Sequence, residues 1–322
     1  MKAIQIHKHG GPEVLEPHDV PTPSPGPGQV LVRLEAAGLN FIDTYQREGA
    51  YKVDLPYTPG LEGAGEVAEV GDGVETVKPG DRVAYTSTPG SYAEYVVVSA
   101  DKLVEVPSGV DIKLAAAVML QGMTAHYLAL DTYPLKPGDT CLIHAVAGGV
   151  GLLLTQIAKL QGATVIGTTS TEEKADRARQ MGADHVILYT QEDFETRTRE
   201  LTEGDGVPVV YDSVGKTTFA KSLNCLAPRG YLVLFGQSSG PVGDIDPQVL
   251  NAKGSLFLTR PSLFHYVAKR AELEKRAHDL FGWIKEDKLT VHVDSEMGLE
   301  HAPDAHRKLE GRHTSGKVLL IP

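Results

Sequence analysis

Hydrophobic and polar positions change their period along the chain, and the change divides it. Up to about residue 122 the apolar residues come in short alternating runs, as in Gln29-Val-Leu-Val-Arg-Leu-Glu-Ala and Tyr92-Ala-Glu-Tyr-Val-Val-Val. That period of two belongs to strands with one buried face. Lys78-Pro-Gly-Asp reads as a turn between two of them, and Gly60-Leu-Glu-Gly-Ala-Gly-Glu-Val mixes strand residues with glycines that permit sharp bends. Pro21, Pro23, Pro25 and Pro27 alternate with small residues in an extended connector. Many short strands with such punctuation predict a small antiparallel barrel or sandwich. Residues 111–130 are helical in character.

From Lys136-Pro-Gly-Asp onward, strand-length and helix-length patterns alternate. Cys141-Leu142-Ile143 fits a strand buried on both faces. A run of small residues, Ala145 to Gly151, leads into an apolar helix over Leu152–Leu160, closed by Gly162. A second strand follows over Ala163–Gly167. A charged helix over Thr171–Met181 stops at Gly182, and His185–Leu188 is the next strand. Val209–Asp212 and Tyr231–Gly236 read as strands around a helical stretch at Thr217–Leu226, and Leu256–Thr259 closes the series. The alternation predicts an α/β fold with a doubly wound parallel sheet. Beyond it lie an amphipathic helix over Lys269–Lys288 and a last strand, Gly316–Pro322, that could rejoin the first domain. The expected division is 1–122, 123–264 and a returning segment at 265–322.

The small residues at 145–151 sit at the first strand-to-helix turn, where a dinucleotide pyrophosphate rests on the helix N-terminus. Ala147, Gly148, Gly149, Val150 and Gly151 are therefore candidate cofactor contacts. The end of the second strand, Thr168-Thr169-Ser170-Thr171, carries no acid before Glu172. A carboxylate there holds a ribose 2′-hydroxyl and repels a 2′-phosphate. The hydroxyls of Ser170 and Thr171 with the nearby Lys174 suit the phosphate, which selects NADPH. Lys174 on its own is equally consistent with a solvated helix lysine.

Composition narrows the field. A chain of 322 residues suggests two domains, and the net charge of −11 with pI near 5.5 argues against a nucleic-acid partner. Cys141 and Cys225 lie in apolar or helical contexts and read as reduced, packed thiols. With no apolar signal core and no stretch of membrane-spanning length, a soluble cytoplasmic protein is expected.

Six stretches together resemble one family: Gly38-Leu-Asn-Phe-Ile-Asp-Thr-Tyr, Leu120-Gln-Gly-Met-Thr-Ala, His144-Ala-Val-Ala-Gly-Gly-Val-Gly, Val210-Tyr-Asp-Ser-Val-Gly, Phe235-Gly-Gln-Ser-Ser-Gly and Leu258-Thr-Arg-Pro-Ser-Leu. They resemble the zinc-free NADPH:quinone oxidoreductases, the zeta-crystallin-like branch of the medium-chain dehydrogenase/reductases. The resemblance implies a GroES-like β-barrel domain beside a Rossmann domain, and a homodimer joined through residues 256–263. It puts Lys174, Tyr189 and Arg312 on the 2′-phosphate, and Gln121 and Thr124 at the nicotinamide end. Phe235, Gly236 and Ser238 would cross the cofactor, with Arg260 also among its contacts. Asn40, Asp43, Tyr45 and Tyr51 would lie on a loop over the nicotinamide, and Asn40, Tyr45 and Tyr51 are the catalytic candidates. A tyrosine ring stacks on a flat acceptor and its hydroxyl can bond a carbonyl. The proton could come from Tyr51 or from water.

Zinc-dependent relatives carry Gly-His-Glu where this chain has Gly60-Leu61-Glu62, and leucine offers no ligand. His301 and His306, five apart, are expected to be surface residues. The acceptor is then one that is already electrophilic, a quinone or an α,β-unsaturated carbonyl. Two rivals stand beside this. Gly236-Gln-Ser238-Ser-Gly240 matches the nucleophile elbow of serine hydrolases, but the Pro241–Pro247 segment cannot start the helix an elbow needs. A purely binding role is the other, and the acidic balance speaks against nucleic acid as its target.

Overall fold

In the computed structural model, which describes all 322 residues, the N-terminal strands do not stand as a separate block. The chain forms two compact units, Met1–Met123 joined by Tyr266–Pro322, and Thr124–His265.

The first unit begins with a small antiparallel pair, β1 (Lys2–Gln5) and β2 (Glu16–Asp19). Its main sheet then runs through β3 (Gln29–Gly38), β4 (Glu62–Val70), β5 (Arg82–Thr86), β6 (Tyr95–Ser99) and β7 (Val104–Glu105), with α1 (Phe41–Glu48) between β3 and β4. Long β3 is shared, pairing antiparallel with β4 and with β6. Val30, Val32 and Leu34 on one face of β3 pack with Val67, Val83, Tyr85 and Val98. The glycines of β4 do more than permit bends. A Cβ on Gly65 would strike the Arg33 carbonyl, and one on Gly63 would come 2.9 Å from the Leu34 side chain. They let β4 lie close on β3, whose pairing carries two register shifts.

The chain leaves this unit within α2 (Ile112–Tyr127). In the second unit β8 (Thr140–Ile143), α3 (Gly149–Leu160), β9 (Thr164–Thr169), α4 (Glu172–Gln180), β10 (His185–Leu188), α5 (Phe194–Leu201), β11 (Val207–Asp212), α6 (Phe219–Asn224), β12 (Leu226–Leu234), α7 (Gln248–Ala252), β13 (Phe257–Thr259) and α8 (Leu263–Tyr266) follow in order. The sheet order is β10-β9-β8-β11-β12-β13, parallel throughout. This is the doubly wound order, with the reversal between β8 and β11 where ligands sit at the carboxyl ends of the strands. Leu142, Ile166, Ile187, Val210 and Leu232, one from each of five strands, share a core. The helical stretch expected at 217–226 is shorter, because Leu226 already pairs with Val207 and opens β12.

The chain then returns through α9 (Arg270–Lys285), β14 (Val293–Gly298), α10 (Ala302–Glu310) and β15 (Lys317–Ile321). β15 pairs antiparallel with β3, Leu320 opposite Ala37, and β14 lies parallel on its other side. The returning strand thus completes the first unit's sheet, and Val318 and Leu320 join a core with Ile4, Leu39 and Tyr92. No helix is long and apolar enough to cross a membrane.

Candidate functional site

In the second unit the turn after β8 is shaped for an anion. Ala145 takes a left-handed backbone, φ 51°, and Gly148 caps α3 without offering a side chain. The first N–H groups of α3 therefore have no side-chain cap, and the positive end of the helix dipole is open. A Cβ on Gly151 would come 2.5 Å from the Ala145 carbonyl oxygen and 2.6 Å from that of Val146. Glycine there lets the helix close on the turn, and Val150 lies between. These features fit a pyrophosphate.

Beneath the turn lies a buried polar network that the motifs did not disclose. His144 is 1 % exposed and neutral, its pKa lowered by burial against the opposing pull of Asp212. Ser222 Oγ donates to Asp212 Oδ2 at 3.0 Å, so His144 Nε2–H donates to Ser222 Oγ at 2.9 Å. His144 Nδ1 then accepts from the Thr168 hydroxyl at 2.9 Å. Thr168 is thereby committed inside, and of the four hydroxyl residues ending β9 only Ser170 and Thr171 reach the surface. Thr171 caps α4, accepting from Lys174 N at 3.4 Å. Tyr189 follows β10, its backbone N–H on the Thr169 carbonyl at 3.1 Å and its side chain exposed. Ser170, Thr171, Lys174 and Tyr189 are thus all on the ends of β9, β10 and the start of α4.

Asp212 also holds the next loop. Its Oδ1 accepts from Val214 N at 2.8 Å and Gly215 N at 3.0 Å, and Thr218 Oγ1 donates to both oxygens. Over this turn runs the segment after β12. Phe235 N donates to the Asp212 carbonyl, and Ser238 N to that of Ser213. Gly236 is needed because a Cβ would come 2.5 Å from the Ser213 carbonyl oxygen. No helix starts until Gln248, so Ser238 is not on an elbow. Arg260 is exposed just past β13, while Thr124 begins this unit and is buried. Arg312 belongs to the first unit, after α10, with φ 58°.

In the first unit, most of the segment expected as a loop is the helix α1, with Asn40 at its N-cap and Tyr51 just beyond its end. Asn40 and Asp43 form a capping box at the start of α1, and Gly49 ends it in the left-handed region. Tyr45 and Tyr51 stand edge to face, ring centres 5.4 Å apart, with Tyr51 36 % exposed. The Asn40 amide is fully engaged. Its Nδ2 donates to the Gly38 carbonyl at 3.2 Å and to Glu62 Oε1 at 2.7 Å. Its Oδ1 accepts from Lys317 Nζ at 3.0 Å and from Gln121 Nε2 at 3.2 Å.

A second buried chain runs from the same helix. Arg47 Nη1 donates to His306 Nδ1 at 2.9 Å, His306 Nε2–H donates to Tyr92 Oη at 3.1 Å, and Tyr92 O–H donates to Asp43 Oδ2 at 3.0 Å. His306 is therefore not a surface residue. It shares the buried face of α10 with Ala302 and Ala305, while His301 stays exposed. Burial and the Arg47 charge lower the His306 pKa to about 3. Burial raises that of Asp43 to about 7, against the lowering pull of the Asn40 N–H, Tyr92 and Lys317.

The donor set does not suit zinc. Leu61 is buried, Glu62 is committed to Lys317, Asn40 and the Leu120 N–H, and no group of three or more His, Cys, Asp or Glu is placed to hold a metal ion.

Comparison with known proteins adds identity to this geometry. Residues 26–108 match the alcohol dehydrogenase GroES-like domain, and residues 149–281 match the family described as zinc-binding dehydrogenase. The chain is 49 % identical to a quinone oxidoreductase of Pseudomonas aeruginosa, over 100 % of this chain and 99 % of that protein. It is 44 % identical to a 2-haloacrylate reductase of Burkholderia sp., over 99 % and 98 %. A solved structure of Escherichia coli quinone oxidoreductase complexed with NADPH superposes with a TM-score of 0.98 at 44 % identity, covering both chains completely.

Proposed function

This chain belongs to the quinone oxidoreductase family of the medium-chain dehydrogenase/reductases, and we propose from that premise how its residues reduce a quinone with NADPH and without metal. It is an oxidoreductase whose cofactor is NADPH. When bound, NADPH supplies the reducing equivalents, and the chain must hold the acceptor flat and stabilise the oxygen that gains charge.

In this reading 123–264 carries the cofactor, and 1–122 with 265–322 carries the acceptor. Ala147 to Gly151 take the pyrophosphate, and Phe235, Gly236, Ser238 and Arg260 cover it. Ser170, Thr171, Lys174 and Tyr189, with Arg312, take the 2′-phosphate, while Gln121 and Thr124 lie at the nicotinamide end. Tyr45 and Tyr51 supply the aromatic platform and a hydroxyl, and Asn40 sets the floor. The observation that carries the metal-free part is the Gly60-Leu61-Glu62 turn, where buried Leu61 offers no ligand and the Glu62 carboxylate pairs with Lys317. The half-exposed apolar Phe257 on edge strand β13 supports a homodimer across that edge, and the two buried free thiols fit a cytoplasmic location.

An enone reductase is the second reading, favoured by the 2-haloacrylate reductase relative. Steady-state NADPH oxidation with 1,4-benzoquinone and with 2-cyclohexenone separates them. The proposal expects the larger kcat/KM for the quinone; a larger value for the enone makes the second reading the right one.

A further inference from the structure

We propose that Lys317 is a positioning residue for acceptor reduction, acting through Asn40; the inference rests on the reading that Asn40 belongs to the acceptor site. The Lys317 ammonium has three protons and meets three acceptors, the Leu39 carbonyl at 3.2 Å, Asn40 Oδ1 at 3.0 Å and Glu62 Oε1. Glu62 Oε1 also accepts from Asn40 Nδ2, and Glu62 Oε2 accepts from Leu120 N at 2.6 Å. The Asn40 amide therefore has its oxygen against an ammonium and its nitrogen against a carboxylate. A flip would set NH2 against NH3⁺ and C=O against COO⁻, so one orientation is fixed.

That orientation carries over to α2. Glu62 holds the backbone at Leu120, and Asn40 Oδ1 holds the side chain of the next residue, Gln121. Within this cluster Gln121 Oε1 is a buried oxygen with no protein partner, left for whatever the site receives. Both members of the ion pair are almost fully buried, at 1 % and 0 % side-chain exposure. A buried pair often adds nothing to stability over apolar side chains of the same volume. What it adds here is direction. Room is made for it at Gly38, where a Cβ would meet Glu62 Oε1 and come 2.6 Å from Lys317 Cε.

The test is a kinetic cycle on the full chain, with NADPH and 1,4-benzoquinone, comparing Lys317→Met, the neutral double variant Glu62→Gln/Lys317→Met, Asn40→Ala and Asn40→Ala/Lys317→Met. Misplacement of an ångström at a reacting site costs up to about 100-fold in rate. Lys317→Met and the neutral double variant should each lower kcat by about 10- to 100-fold, with the NADPH dissociation constant changed less than about twofold. Because Lys317 acts through Asn40, adding Lys317→Met to Asn40→Ala should cost less than about a further twofold. Additive losses overturn the proposal, as does wild-type kcat in a folded neutral double variant. Failure of both Lys317 variants to fold makes the pair purely structural and overturns it too. Unchanged kcat in Asn40→Ala alone would instead remove the reading of the site on which the proposal stands.

Discussion

Asp43 and His306 flank Tyr92 in one hydrogen-bonded chain and titrate in opposite senses. Asp43 has a folded pKa of about 7 against an ordinary 3.8, so the folded chain keeps a proton that the unfolded chain releases. Its contribution to stability is present in full below about pH 3.8 and is gone above about pH 7. His306 has a folded pKa of about 3 against 6.5, so its contribution is present above pH 6.5 and is lost on acidification. Between pH 3.8 and 6.5 the two slopes cancel. Asp43→Asn breaks the cancellation while keeping an oxygen to accept from Asn40 N and Tyr92 O–H. One pKa unit corresponds to about 1.4 kcal/mol, and with both end points close to a pKa the effective span is about 2.5 units, so between pH 7 and pH 4 wild type should gain about 3 kcal/mol on the variant. All unaltered groups drop out of that difference. Urea unfolding of both proteins by circular dichroism at pH 7, 5.5 and 4 measures it. Curves that stay parallel across this range would refute the raised pKa of Asp43.

Two further substitutions address the cofactor side. Lys174→Ala should weaken NADPH about tenfold and leave NADH unchanged, since a hydrogen bond to a charged group contributes about 1.5–3 kcal/mol and exposure reduces it; fluorescence titration of both cofactors checks this, and equal losses would contradict it. Gly151→Ala forces α3 off the Ala145 and Val146 carbonyls, 2.5 and 2.6 Å from the new Cβ. It should destabilise by about 1–3 kcal/mol and weaken NADPH and NADH together, seen as a lower Tm and in the same titrations.

How far the sequence could be read depended on the range of the interactions. β8, α3 and β9 were legible because an apolar run, a glycine turn and a helix-length apolar segment are consecutive, each with its own local signal. Asn40-Phe-Ile-Asp43 has a capping-box spacing, a local signal for the helix α1 that stands where the family resemblance implies a loop. β12 was expected only from Tyr231, because Pro228, Arg229 and Gly230 interrupt the pattern and Arg229 takes φ 63° in an irregular register. The buried networks had no local signal at all. His306 meets Arg47 across 259 positions and Tyr92 across 214, and Lys317 meets Glu62 across 255. A histidine or lysine whose partners are supplied by distant strands looks like a surface residue until the sheet closes around it. Leu61 was informative for the opposite reason, since a missing ligand is visible at a single position.

The central claim is that bound NADPH reduces a quinone directly on this chain, whose side chains hold the acceptor without metal. The most direct measurement is NADPH oxidation at 340 nm, driven by 1,4-benzoquinone, after exhaustive dialysis against a strong chelator and in metal-free buffer. The account predicts the same kcat before and after dialysis, with no response to added zinc. Activity that disappears on dialysis and returns with zinc would contradict it.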